Sequence, residues 1–197
     1  MKQLDFNIFD TSLPKLKPAK GRILIADPFL KGPYFGRSIV FITEYGEQGA
    51  VGFVLNKTSN LYPDEVIDDL LSFKGELFIG GPVSSDTLHF IHTLGDQVPD
   101  SIKITDQIYW GGDFEKIKQL INQDKATFKQ VKFFAGYSGW SPEQLENEIE
   151  EKSWIVTEIN EDMIMSDDTD DIWKKSMASL GDVYKTWSKF PEDPSFN

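Results

Sequence analysis

Residues 136–154 read "GYSGWSPEQLENEIEEKSW", and the reading of this stretch decides the fold. One reading makes Ser138 a nucleophile on a sharp turn. The other makes the stretch a strand that hands over to a capped helix. A nucleophile elbow needs small residues on both sides of the serine, so that the chain turns hard and lifts the hydroxyl into reach. Here Trp140 stands two residues after Ser138, and the histidines, His89 and His92, both precede the serine. The structural reading employs more residues. Ser141 is the expected N-cap, Pro142 suits the first helical position, and Gln144 completes a capping box. Trp140 is then placed to pack on Leu145, while Leu145, Ile149 and Trp154 continue an apolar side. Gly136 and Gly139 let the strand turn into the helix. No catalytic residue is assigned.

Outward from this stretch, short β-branched runs bounded by Gly, Pro and Asp predict strands at 21–26, 38–44 and 49–57, the last two forming a hairpin across "YGEQG". Further strands are predicted at 76–80, 87–94, 102–110, 131–136 and 153–159. Helices are predicted at 63–73, with Val66, Ile67, Leu70 and Leu71 on one buried side, and from the N-cap Asp113, with Phe114, Ile117, Leu120 and Ile121 inward. A closing helix near 170–180 presents Trp173, Met177 and Leu180, with Gly181 as its stop. Strand groups broken by single helices do not make a regular βαβ series, so the expected class is α+β, with a mixed sheet. The 197 residues suit one domain, with 1–20 an N-terminal extension and 188–197 an extended C-terminal tail.

Composition narrows the function classes. The chain has no cysteine, which excludes a disulfide framework, a thiolate zinc site and a thiol nucleophile. No apolar run reaches the roughly 20 residues that cross a bilayer, and the start has no signal-like apolar core. A cytoplasmic protein with no membrane partner is expected. The net charge of -12 repels nucleic-acid phosphates. The basic residues Lys15, Lys17, Lys20 and Arg22 form one cluster, which reads as a phosphate-contacting arm or, more simply, as a solvated entry segment.

Three blocks in order carry a resemblance. Beside the opening stretch stand "GRILIADPFLKGPYFGRSIVFITEYGEQGAVGFVLNK" (21–57) and "FIGGPVSSDTLHFIH" (78–92). Together they span about residues 20–181 and resemble the YqgE/AlgH family, bacterial proteins often labelled transcriptional regulators. The resemblance implies a compact α+β fold with a bent, partly barrel-like sheet, a cytoplasmic setting and a role in gene regulation; it carries no established reaction. Glu143 stands where members of that family usually carry a glycine, and Lys57 where arginine is common.

The remaining motifs yield few sites. His89 and His92, three apart in a strand, point to opposite faces and would not converge on a metal. "SDDTDDIW" (166–173) fails the EF-hand spacing, since Trp173 falls where the glycine belongs. "IGGPV" (79–83) lacks the spacing and lysine of a phosphate loop. No cofactor is expected. A polar set at the strand ends, Arg37, Glu44, Asn56, Tyr137 and Ser138, is the candidate ligand site if its members converge in one cleft; otherwise each satisfies local backbone. The expected function is a non-enzymatic regulatory protein acting through a protein partner. A ligand sensor or enzyme at the glycine-rich strand ends is the alternative, and direct nucleic-acid binding a weaker one. The aromatic content (15 Phe, 5 Trp) suits a generous core or an exposed interface, including one with a second copy.

Overall fold

The computed structural model describes residues 16–158, 161–166, 169 and 171–191. Its strands are β1 (Ile23–Ala26), β2 (Ile39–Gly46), β3 (Gly49–Val54), β4 (Leu77–Ile79), β5 (Val83–His92), β6 (Ile102–Lys103), β7 (Tyr109–Trp110), β8 (Val131–Trp140) and β9 (Trp154–Thr157). The helices are α1 (Pro63–Val66), α2 (Phe114–Asn122), α3 (Gln144–Glu150), α4 (Glu161–Ile164), α5 (Ile172–Ser179) and α6 (Asp182–Trp187). The strands form one sheet in the order β6-β7-β5-β8-β3-β2-β1-β9, with β4 also paired to β8. Among the described residues only the β4–β8 pair is parallel, so the sheet is mixed and the class is α+β. The path is open, ending at β6 and β9.

Alternation along the strands divides the core between two faces. Ile23, Ile25, Ile39, Phe41, Phe53, Phe78, Ile91 and Phe134 share one face with Trp173, Met177 and Tyr184 of the C-terminal helices. The other face carries two separate clusters. Leu24, Val40, Ile42, Val54, Trp140 and Trp154 pack with Leu145 of α3. Leu77, Phe90, Val131 and Phe133 pack with Ile117, Leu120 and Ile121 of α2 and with Ile67, Leu70 and Phe73. Each fully buried aliphatic or phenyl side chain contributes about 1.5–3 kcal/mol, so these three clusters are a main source of the fold's stability.

The long strand β8 joins the clusters, and its bend sits at Gly136. There φ is 65°, the left-handed region, and the side-chain phase shifts by one. Phe134 and Tyr137 therefore contact the same cluster, while Trp140 reaches the opposite one. The segment linking β4 to β5 crosses β8 at this bend. A Cβ on Gly80 would lie 2.2 Å from the Gly136 carbonyl oxygen and 2.9 Å from Phe53. The "IGGPV" run is thus a close chain crossing in which a side chain has no room.

Several expectations need correction. β8 does not turn at Gly136 and Gly139 but continues to Trp140. Helix α3 starts at Gln144, after Glu143 in a left-handed conformation (φ 64°), rather than at a Ser141 cap. Half of the capping box survives: the Ser141 N–H donates to Gln144 Oε1 at 3.0 Å, and the Ser141 hydroxyl donates to the same oxygen at 3.1 Å. Trp140 and Leu145 do share a cluster. The helix expected over 63–73 is the single turn Pro63–Val66, because Ile67 leaves the helical region for an extended backbone (φ -110°, ψ 113°). The strand expected over 102–110 is two short strands, because the Thr105 hydroxyl accepts from the N–H groups of Gln107 and Ile108 and folds the chain back. The described start of the C-terminal tail, after Ser188, is a turn.

Candidate functional site

An open groove of about 320 Å³ lies at the tip of the β2–β3 hairpin, lined by Glu44, Gln48, Val51, Val83, Tyr137 and Ser141 among others. Local irregularities build it. The β2–β3 register shifts between Ile42 and Glu44, a bulge that leaves Glu44 exposed at the rim. The bend at Gly136 brings Tyr137 to the same side, where its ring stands edge-on to His89 at 5.6 Å. Pairing of Val51 with Gly139 and of Val83 with Tyr137 closes the floor.

The five sequence-selected residues do not share this groove. Glu44 and Tyr137 line it. Asn56 instead ties down the entry to β2: its Oδ1 accepts from the Ile39 N–H and its Nδ2 donates to the Arg37 carbonyl, both at 2.9 Å. Arg37, left-handed at φ 53°, lies over the Trp173 ring at 5.1 Å and donates to the Phe190 carbonyl. Ser138 is fully buried, and its hydroxyl donates to the Gly80 carbonyl at 2.9 Å. That bond fastens the chain crossing and occupies the hydroxyl proton.

The histidines fall on opposite sides. His89 packs on Phe53 at 5.4 Å and lies 3.0 Å from the Thr87 hydroxyl through Nε2. His92 stacks on Tyr109 at 5.6 Å; its Nδ1 accepts from the Leu94 N–H at 3.2 Å, which leaves the proton on Nε2, facing Ser101 and the Gly111 carbonyl. Burial pushes both imidazoles below their ordinary pKa, so both are neutral near pH 7. Among the described residues no group of three or more His, Asp or Glu side chains is gathered to hold a metal.

The basic segment is largely engaged. Lys20 donates to the Lys103 carbonyl at 3.0 Å, and Arg22 donates to the Lys17 carbonyl and pairs with Glu158 at 3.7 Å. Lys15 lies outside the described residues, as do Asp168 and Asp170 of the acidic run. Among the described residues no helix is long and apolar enough to cross a membrane.

Two features escaped the sequence reading. Glu148 accepts through one oxygen from the indole N–H groups of both Trp140 and Trp154, at 2.9 and 2.8 Å. Its i+4 spacing from Gln144, which donates to its other oxygen at 2.8 Å, is the only sequence trace of this knot. The second feature is the segment 61–71, where Ile67 and Leu70 are inside as expected but Val66 and Leu71 are not: Val66 is 48% and Leu71 77% exposed, beside Leu61 at 44% and Tyr62 at 50%.

With this geometry in place, the comparisons with known proteins agree. The family model described as AlgH-like matches residues 23–185. This chain belongs to the AlgH-like family. A UPF0301 protein of Parabacteroides distasonis is 45% identical over 193 residues, covering 97% of this chain and 98% of that protein. One from Bacteroides thetaiotaomicron is 38% identical, covering 98% and 99%. The fold is shared with the crystal structure of DIP2367 from Corynebacterium diphtheriae, at TM-score 0.73 and 23% identity over 90% of this chain and 95% of that one. The solution structure of AlgH from Pseudomonas aeruginosa aligns at TM-score 0.70 and 22% identity, covering 91% and 98%.

Proposed function

We propose that this AlgH-like protein is a non-enzymatic regulatory protein of the cytoplasm that works by holding a protein partner, with segment 61–71 as its docking face. The observation that carries this reading is the exposure of Leu61, Tyr62, Val66 and Leu71 within one short segment. Among the described residues most large apolar side chains are buried, and a local concentration left in water is the usual mark of an interaction surface. Control of transcription is the process that the family label suggests. With a net charge of -12, action through protein rather than direct contact with DNA fits that process.

A photo-crosslinking residue placed at position 71 tests this in growing cells, with the same residue at position 48 on the groove rim as control. A discrete protein adduct from position 71, absent from position 48, supports the reading. Adducts from position 48 alone would overturn it. An adduct of twice the chain's own mass would make the partner a second copy.

The groove supports a second reading, a sensor of a small polar ligand, because Tyr137 and Glu44 face one open space. Its chemistry favours binding over bond-making, since the Ser141 hydroxyl is bonded to Gln144. Thermal-shift screening with metabolites checks it: a stabilising compound whose effect disappears in Tyr137→Ala supports the sensor, and no such compound sinks it.

A further inference from the structure

The face formed by residues 61–71 carries information about what covers it. Pro63, Ile67, Leu70 and Phe73 turn inward, and the last three join the cluster beneath α2. The residues between them turn outward as an interleaved set: Leu61, Tyr62, Val66 and Leu71 are apolar, while Asp64, Glu65, Asp68 and Asp69 are acidic, and all are exposed.

Among the described residues these acidic side chains, Asp64, Glu65, Asp68 and Asp69, make no ion pair. Lys118, which reaches the segment from α2, places its ammonium on Glu115 at 2.9 Å and on the Asp68 backbone carbonyl at 3.4 Å. Glu65 accepts from the Tyr62 N–H at 2.7 Å, which orients the carboxylate without neutralising it. The segment is also held in place before any partner arrives. Asn122 of α2 donates through Nδ2 to the Asp69 carbonyl at 2.8 Å and accepts through Oδ1 from the Leu71 N–H at 3.0 Å. Little ordering is left for binding to impose.

We infer that segment 61–71 docks a basic amphipathic peptide segment of a partner protein, with apolar anchors against Val66 and Leu71 and Lys or Arg side chains against the four carboxylates. This rests on the partner-binding reading above and adds the chemistry of the partner. An apolar centre with a charged rim is how specific protein interfaces are built. The sign of this rim repels nucleic acid, anionic lipid and an acidic partner alike. The two parts act on different rates: the acidic rim speeds encounter in a salt-dependent way, and the apolar centre slows release.

Fluorescence anisotropy with a labelled synthetic Lys/Leu helix of about five turns tests this at about 150 mM salt, where the screening length is about 8 Å. One control peptide has the same composition shuffled to destroy the apolar face; another replaces every Lys by Glu. Saturable binding of the amphipathic basic peptide alone is expected. Joint replacement Val66→Ser and Leu71→Ser should weaken it about tenfold, mainly through faster release. The set Asp64→Asn, Glu65→Gln, Asp68→Asn and Asp69→Asn should weaken it by a similar factor, mainly through slower association, and flatten its salt dependence. Unchanged urea midpoints in both variants confirm that the fold is retained. Equal binding of the shuffled peptide, or binding that neither variant weakens, overturns the inference. If the basic peptide fails while the crosslinker at position 71 still captures a protein, partner binding stands and the inferred partner chemistry falls. If adducts come only from position 48, both fall.

Discussion

The stretch from Gly136 to Trp154 and the stretch from Leu61 to Leu71 use their side chains in opposite ways. In the first, Ser138 is bonded to the Gly80 carbonyl, Trp140 and Trp154 share the Glu148 carboxylate, and Gln144 spans Ser141 and Glu148. The rings of Trp140 and Trp154 meet edge to face at 6.0 Å. In the second, four large apolar residues and four carboxylates face water. The first is committed inward; the second is held from behind by Asn122 and left open in front. Substitutions in the first should therefore cost stability, and those in the second should cost binding.

The sharpest way to break that contrast is at the chain crossing. Gly80→Ala sets a methyl 2.2 Å from the Gly136 oxygen, and a loss of about 3 kcal/mol or more in urea unfolding is expected. Tolerance of this change would mean that the crossing is looser than described. Glu148→Ala leaves two indole N–H groups without their acceptor, with an expected loss of about 2 kcal/mol; Glu148→Gln, which keeps an acceptor oxygen, should lose less. Glu143→Gly relieves a left-handed residue at φ 64° and should raise stability by about 1 kcal/mol, read as a higher urea midpoint. Leu71→Ser, at 77% exposure, should move that midpoint by about 0.5 kcal/mol or less. A large loss there would show that Leu71 serves the fold and would remove the contrast.

The fold was legible where periodicity and capping act locally. The β2–β3 hairpin closes at Gly46 and Gly49 as the turn residues require, and Asp113 caps α2 by accepting from the Lys116 N–H at 3.0 Å. What failed depended on backbone switches that no glycine or proline announces. Ile67 turns extended (φ -110°, ψ 113°) and Glu143 is left-handed, so one helix is shorter than its apolar pattern suggests and the other starts later. The site was less legible still. Arg37 and Asn56 flank strands and Ser138 lies within β8, and the structure occupies all three in tying loops and crossings together. Glu44 and Tyr137 reach the groove through a bulge and a bend, neither of which alternation foretells. The open segment 61–71 was misread because Val66 and Leu71 fit the apolar side of a helix that stops too soon to bury them.

The sheet order has a consequence for how the molecule is made. β1 lies between β2 and β9, with Ile23 opposite Thr157 on one side and Phe41 on the other. As the polypeptide leaves the ribosome, β1 acquires its hairpin-side neighbour early but waits for nearly the whole chain before the second edge is covered. During that interval an Ile-Leu-Ile-Ala strand presents free backbone donors and acceptors to any extended polypeptide nearby. A nascent chain stalled before Trp154 should therefore be a substrate for chaperones, whereas release of the completed chain should end that dependence.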